Sequence, residues 1–305
     1  LVAVGDSALY NNGTGVSFPG EARRNTAVGS KALYTNTTGA DNTAAGFNSL
    51  FLNSSGYSNT ANGASSLRAN TTGYQNAASG AYSLLSNTTG IYNAAHGNSS
   101  LGSNTQGDYN TGSGSNALFN NTLGNRNTAA GYTALSTNTI GNNNTAIGYA
   151  ADVAVNNLSN ATAIGYNAKV AASNSLVLGG TGADAVNVGI GTTTPGFPLN
   201  FANTLGNKIS LYGNTGSHYG FGVQGGLLQI HSDAAAADIV LGYGSSTSFI
   251  ENMRIKGNGN VGIGNNNPVR PLSFPASLGE KILLYPGGAG EVGIGVYGNE
   301  LRLHA

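Results

Sequence analysis

The side chains able to do covalent or acid–base chemistry are few in this sequence and poorly placed for it. Twelve acidic residues are scattered over 305 positions. Sugar hydrolysis needs two carboxyl groups held at a set separation. The closest pair, Asp233 and Asp238, reads as the flanks of a solvated turn. His218, His231 and His304 lack the spacing of metal ligands, and His231 and His304 occupy equivalent repeat positions, which gives them a structural role. Gly189-Ile190-Gly191 invites a phosphate-loop reading, but no helix follows it to supply the anion site. The chain therefore reads as a non-enzyme, with no catalytic residues, no metal and no cofactor.

Aromatic residues are the better candidates for binding. Tyr57, Tyr74, Tyr92 and Tyr109 recur at nearly regular intervals, as an exposed ladder for sugar rings or as packing against neighbouring chains. Tyr219, Tyr243 and Tyr297 lie further along and complete the candidate ligand-binding set. His96 shares a sequence column with Val28 and Ile147. In a trimer it could meet its symmetry mates around an ion, but it is more simply read as a tolerated polar residue.

The elements that position these residues come from an internal repeat. Asn25-Thr26-Ala27-Val28-Gly29 returns as Asn42-Thr43-Ala44-Ala45-Gly46 and Asn59-Thr60-Ala61-Asn62-Gly63, and the glycine continues every 17 residues to Gly165. Leu follows the glycine by four from Leu33 to Leu135, Asn by seven from Asn36 to Asn138, and a second glycine by ten from Gly39 to Gly141. Gly5, Leu9, Asn12 and Gly15 keep the same spacing. The step from Gly5 to Gly29 is longer by a loop containing Pro19-Gly20, and the step from Gly165 to Gly179 shortens to 14.

Seventeen residues suffice for two short strands and two turns, with Asn36-Thr37-Thr38-Gly39 as turn chemistry. One such coil cannot close a core, but stacked coils can. About nine coils at the strand spacing of roughly 4.8 Å give a rod on the order of 40 Å long. Leu and Ala become apolar stripes, and Asn becomes ladders of amides bonding to one another or to turn backbone. The column Val28, Ala45, Asn62, Ser79, His96, Ser113, Ala130, Ile147, Ile164 is polar in its middle, so a single chain is expected to be too slender to complete its own interior.

Composition agrees with a stacked repeat. Glycine occurs 48 times and charged residues make up 8%, against about 25% in typical soluble domains. Net charge is zero, which leaves no electrostatic footprint for nucleic acid or an anionic membrane. No run of about 20 apolar residues could cross a membrane as a helix. There is no signal peptide, and Leu1 falls inside a repeat, so the chain reads as a piece of something longer.

From residue 186 the period becomes 73. Val188-Gly189-Ile190-Gly191 returns as Val261-Gly262-Ile263-Gly264, Gly206-Asn207-Lys208-Ile209 as Gly279-Glu280-Lys281-Ile282, and Leu228-Gln229-Ile230-His231 as Leu301-Arg302-Leu303-His304. Apolar and polar residues between Gly and Pro turns indicate short strands, and no helix is expected. The expected fold is all-β: a parallel β-roll over 1–185, a first β-module over 186–258, and a second, incomplete module over 259–305.

Asn144-Thr145-Ala146-Ile147-Gly148 and Ala161-Thr162-Ala163-Ile164-Gly165 resemble the coil phrases of trimeric autotransporter adhesin heads, and the 14-residue step is similar to their period. Gly259-Asn260-Val261-Gly262-Ile263-Gly264 followed by Pro268 resembles bacterial and phage fibre proteins that end in an endosialidase-type intramolecular chaperone. These resemblances imply an intertwined homotrimeric fibre, extracellular on a cell or virion, that attaches to a cell-surface glycan or protein without inserting in a membrane itself. The alternatives are a purely structural shaft that spaces a tip elsewhere, or ice binding through a threonine column at Thr37, Thr71 and Thr88.

Overall fold

The structure, a computed structural model, describes residues 1–305 except 215, 216, 233, 235, 288, 289 and 305. It divides into two compact units, Leu1–Asn187 and Val188–Ala305. Apart from a single 3-10 turn at Gly182–Asp184, the regular structure is all β.

The first unit is a parallel β-solenoid of 17-residue coils. Each coil contributes a three-residue strand, such as Thr43–Ala45 or Thr60–Asn62, to a parallel 11-stranded sheet. Equivalent residues stack directly: Thr26 on Thr43, Ala27 on Ala44, and Val28 on Ala45. The expected second strand per coil forms only in the last coils, where Asp152–Val153 pairs with Lys169–Val170. Elsewhere the chain turns back through left-handed residues.

Those turns explain the leucine column. Leu33, Leu50, Leu67 and Leu84 have φ near +50°, a conformation that costs an ordinary residue about 1–2 kcal/mol. Each of these leucines is also fully buried, and burying a Leu side chain contributes about 1.5–3 kcal/mol. Burial offsets the strain, so the column holds Leu where backbone geometry alone would select Gly.

The expectation of an interior too slender for one chain is corrected. The column from Val28 to Ile164 lies on the outward side of the strands, with Val28 42% and Ile147 45% exposed. Its polar middle therefore sits in water. The interior consists of the Leu column, the Ala and Ser column just before it from Ala32 to Ala151, the strand Ala column and two columns of Asn, and beyond the first coil these side chains are about 1% exposed or less in the single chain.

The asparagines close their own hydrogen-bond account. Along one ladder, Asn87 Nδ2 donates to Asn70 Oδ1 at 2.8 Å and to the Gly90 carbonyl at 3.0 Å, while Asn104 Nδ2 donates to Asn87 Oδ1 at 2.8 Å. Along the other, Asn76 Nδ2 donates to the Gly90 carbonyl at 2.9 Å, and the Asn76 backbone N–H donates to Asn59 Oδ1 at 3.0 Å. Buried amides satisfied in this way stabilise the interior, whereas unsatisfied ones would destabilise it.

The second unit repeats with the expected 73-residue offset. Val188–Ile190 pairs in parallel with Leu199–Phe201, as Val261–Ile263 does with Leu272–Ser273. A three-stranded antiparallel meander follows each pair: Gly206–Asn214, Ser217–Gln224 and Leu227–His231, then Gly279–Gly287, Gly290–Tyr297 and Glu300–His304. Between the copies, the hairpin Ile239–Ser245 and Ser248–Ile255 joins Val261–Ile263 in one sheet.

This unit lacks an interior. Among its described residues, no Val, Leu, Ile, Met, Phe or Tyr side chain is buried; the buried positions are Gly220, Gly222, Gly262, Pro268, Gly293 and Gly295. Strand contacts run almost wholly within each sheet.

Candidate binding surface

The solenoid turns tyrosine columns into stacked ladders. The second turn of successive coils places Tyr57 against Tyr74 with ring centroids 4.6 Å apart and planes 6° apart. Tyr92 stacks on Tyr109 at 4.9 Å and 5°. Between these pairs the ladder shifts by one position in the coil, and Tyr74 meets Tyr92 edge-on at 5.6 Å. Arg126 closes the end, its guanidinium carbon 5.8 Å from the Tyr109 ring centre. These four predicted site residues are brought together.

Stacking determines what the ladder can offer. A sugar ring that stacks on an aromatic side chain needs a free ring face. Here each stacked ring has one face against its partner, which reduces the ring face open to a sugar, while Tyr57, Tyr92 and Tyr109 remain between 41% and 49% exposed. The resulting chemistry is a row of hydroxyl donors and acceptors, one per coil, suited to a hydroxyl-rich partner.

The remaining three predicted tyrosines are not brought together. Tyr219 lies in the first meander, opposite Tyr212 with ring centroids 6.2 Å apart. Tyr243 lies in the hairpin sheet, opposite Ile250 and 58% exposed. Tyr297 lies in the second meander, with the Arg302 guanidinium carbon 5.6 Å from its ring centre.

Two further ladders escaped the sequence reading. Tyr10, Tyr34 and Phe51 stack at 5.2 and 5.4 Å, with Arg68 over Phe51 at 5.7 Å. Tyr132, Tyr149 and Tyr166 stack at 5.4 Å each. Their signal was present: the first set follows the coil glycine by five residues and the second by one, each repeating with the coil.

The threonine column is committed to the fold. Thr71 Oγ1 donates to the Thr88 carbonyl and Thr88 Oγ1 to the Thr105 carbonyl, each at 2.9 Å. A face offering free hydroxyls to ice does not arise there. His96 stands exposed on the outward side of its strand, in the same column as Val28 and Ile147.

Carboxylates converge once. Arg254 binds Asp238 through Nη1 at 2.6 Å and Glu251 through Nη2 at 2.6 Å. Hydrogen bonding to the guanidinium holds both carboxyl groups below their ordinary range. A general acid needs the opposite shift, so this cluster reads as an ion-pair clamp. Asp233, the other half of the predicted pair, lies outside the described residues. Asp152 is the exception in direction. Burial pushes its carboxyl upward, against hydrogen bonds from the Thr137 hydroxyl at 2.7 Å and the Val153 N–H at 2.8 Å.

Among the described residues, no three His, Cys, Asp or Glu side chains gather as a metal site. No helix is long and apolar enough to cross a membrane. No protein-family model matches the chain, and no curated protein or solved structure matches it.

Proposed function

We propose that this chain is a segment of a homotrimeric extracellular fibre, of the adhesin or tail-fibre kind, that attaches to a glycan or protein on a cell surface. The carrying observation is the contrast between its units: one a self-contained rod, the other a set of sheets with no interior of its own. A fibre has use for both, since the rod provides reach and the sheets provide a place for chains to join. The sequence resemblances support the same assignment, with the fibre on the surface of a cell or virion. No catalytic role, cofactor or nucleic-acid partner is proposed.

The structural-shaft alternative keeps one specific support, because each stacked ring of the tyrosine ladder has one face against its partner. Two measurements on the full chain separate these readings. Light scattering should return three times the 30.5 kDa of one chain. Glycan-array and cell-binding assays should show saturable binding that weakens when Tyr92 and Tyr109 are changed to Ala. Trimers that bind nothing across arrays and cells leave the shaft; monomers remove the fibre.

A further inference from the structure

In the second unit, each multi-stranded sheet sorts its side chains by face. Side chains alternate along a strand, and directly paired residues share a face. In the first meander Phe221 lies opposite both Ile209 and Ile230, and Val223 opposite Leu228. The reverse face carries Ser210, Gly220, Gly222, Gln224 and Gln229, with one leucine, Leu227, at its edge. Seventy-three residues on, Ile294 lies opposite Ile282 and Leu303, and Val296 opposite Leu301, with Gly293, Gly295, Arg302 and one leucine, Leu283, on the reverse. The hairpin sheet sets Leu241 opposite Met253, Met253 opposite Ile263, and Ile255 opposite Val261. Its reverse carries Gly242, Glu251, Arg254 and Gly262, together with Val240 opposite Arg254 and Phe249 opposite Gly244.

These three apolar faces are only partly covered in the single chain, with Met253, Ile255, Val261, Ile282, Ile294 and Val296 half-buried. Leu228 is 79% and Leu303 77% exposed, and Phe221 and Val223 are each 37% exposed. The largest apolar patch on an ordinary monomer is about 300–600 Å², and a stable interface covers about 800 Å² on each partner. Each of the three faces carries five or more large apolar side chains, several of them more than half exposed, which is the material an interface of that kind is built from.

We infer that these three faces are covered by the same faces of further copies of this chain, and that the unit 188–305 acquires its interior only on assembly. This rests on the fibre reading and adds where the chains meet. The occupant is identified by three observations. The solenoid's large interior side chains are already enclosed within its own coils. The apolar faces carry no formal charge with which a differently charged partner could be selected. The same face recurs at a fixed offset, so rotationally related copies in register would meet like with like at each level. Tyr219 and Tyr243 fall on covered faces and become interior, while Tyr297, on the reverse of its meander, stays available.

The test uses the full chain with the double substitution Phe221→Asp and Ile294→Asp, and Ser210→Asp as the reverse-face control. The parent should be oligomeric at micromolar concentration. The double variant should fall to the mass of one chain, with amides of 206–231 and 279–304 exchanging at once while solenoid amides stay protected; the control should keep the parent mass. A second readout leaves the fold intact, since the chain has no cysteine. A thiol reagent should label Ser210→Cys freely and Leu228→Cys at least tenfold more slowly. An oligomer whose mass survives the double substitution, or whose two cysteines react alike, overturns the face assignment and leaves the fibre standing. A monomeric parent with protected meander amides overturns both.

Discussion

An asparagine in this solenoid does the work that a larger apolar side chain does in a wider core, because it fills the interior and ties coil to coil. Removing one therefore leaves partners behind. Asn87→Ala strips a donor from Asn70 Oδ1 and the Gly90 carbonyl and an acceptor from Asn104 Nδ2. Buried groups left unpaired cost about 1–3 kcal/mol each, so solenoid stability should fall by roughly 3–5 kcal/mol in denaturant melts. Asp152 makes a pH prediction. Its folded value is raised by burial, so its stabilising contribution is complete below the unfolded Asp value, near 4, and is lost as pH rises through the folded value. Asp152→Asn, which removes the titrating carboxyl but also an acceptor of the Thr137 hydroxyl bond, should flatten the fall in melting temperature between about pH 4 and pH 7 that the parent shows.

At the scale of the coil, close stacking sets what a position can hold. A Cβ on Gly73 would lie 2.4 Å from Asn70 Oδ1 and 2.5 Å from the Gly90 carbonyl oxygen. Both contacts are with groups fixed in a ladder, so Gly73→Ala should destabilise the rod by about 3 kcal/mol or more, measurable in the same melts. Spacing alone revealed the coil, its glycines and its Asn ladders, since stacking repeats a residue wherever it repeats an environment. Direction was less legible. The column through Asn62 and His96 looked like a failing core because periodicity gives a position in the coil but not the side it faces. The leucines obscured the return path, since residues with φ near +50° carry no signature unless they are Gly or Asn. In the second unit, the 73-residue offset foretold the strands, but the sorting of faces depends on cross-strand register, which no single segment displays. The tyrosine ladder was visible as a spacing; the mutual covering of its ring faces was not.

Over the whole molecule, the units should answer differently to dilution. The solenoid encloses its core in one chain, and its melting should be independent of concentration. On the proposed association the second unit melts as an assembly, so its transition should fall as the chain is diluted. Differential scanning calorimetry across a hundredfold concentration range should resolve one fixed and one moving transition; two fixed transitions would contradict the proposed association. The in-register stacking of Thr43, Thr60 and their equivalents carries a consequence for heredity. A duplication or loss of one 17-codon block leaves every remaining column aligned, and extra residues can loop out without breaking the columns, as where the 24-residue step from Gly5 to Gly29 still stacks Ala3 on Ala27. Gain or loss of one such block can therefore alter the solenoid in quanta of about 4.8 Å, so a lineage can change the length of this unit without redesigning what it is made of.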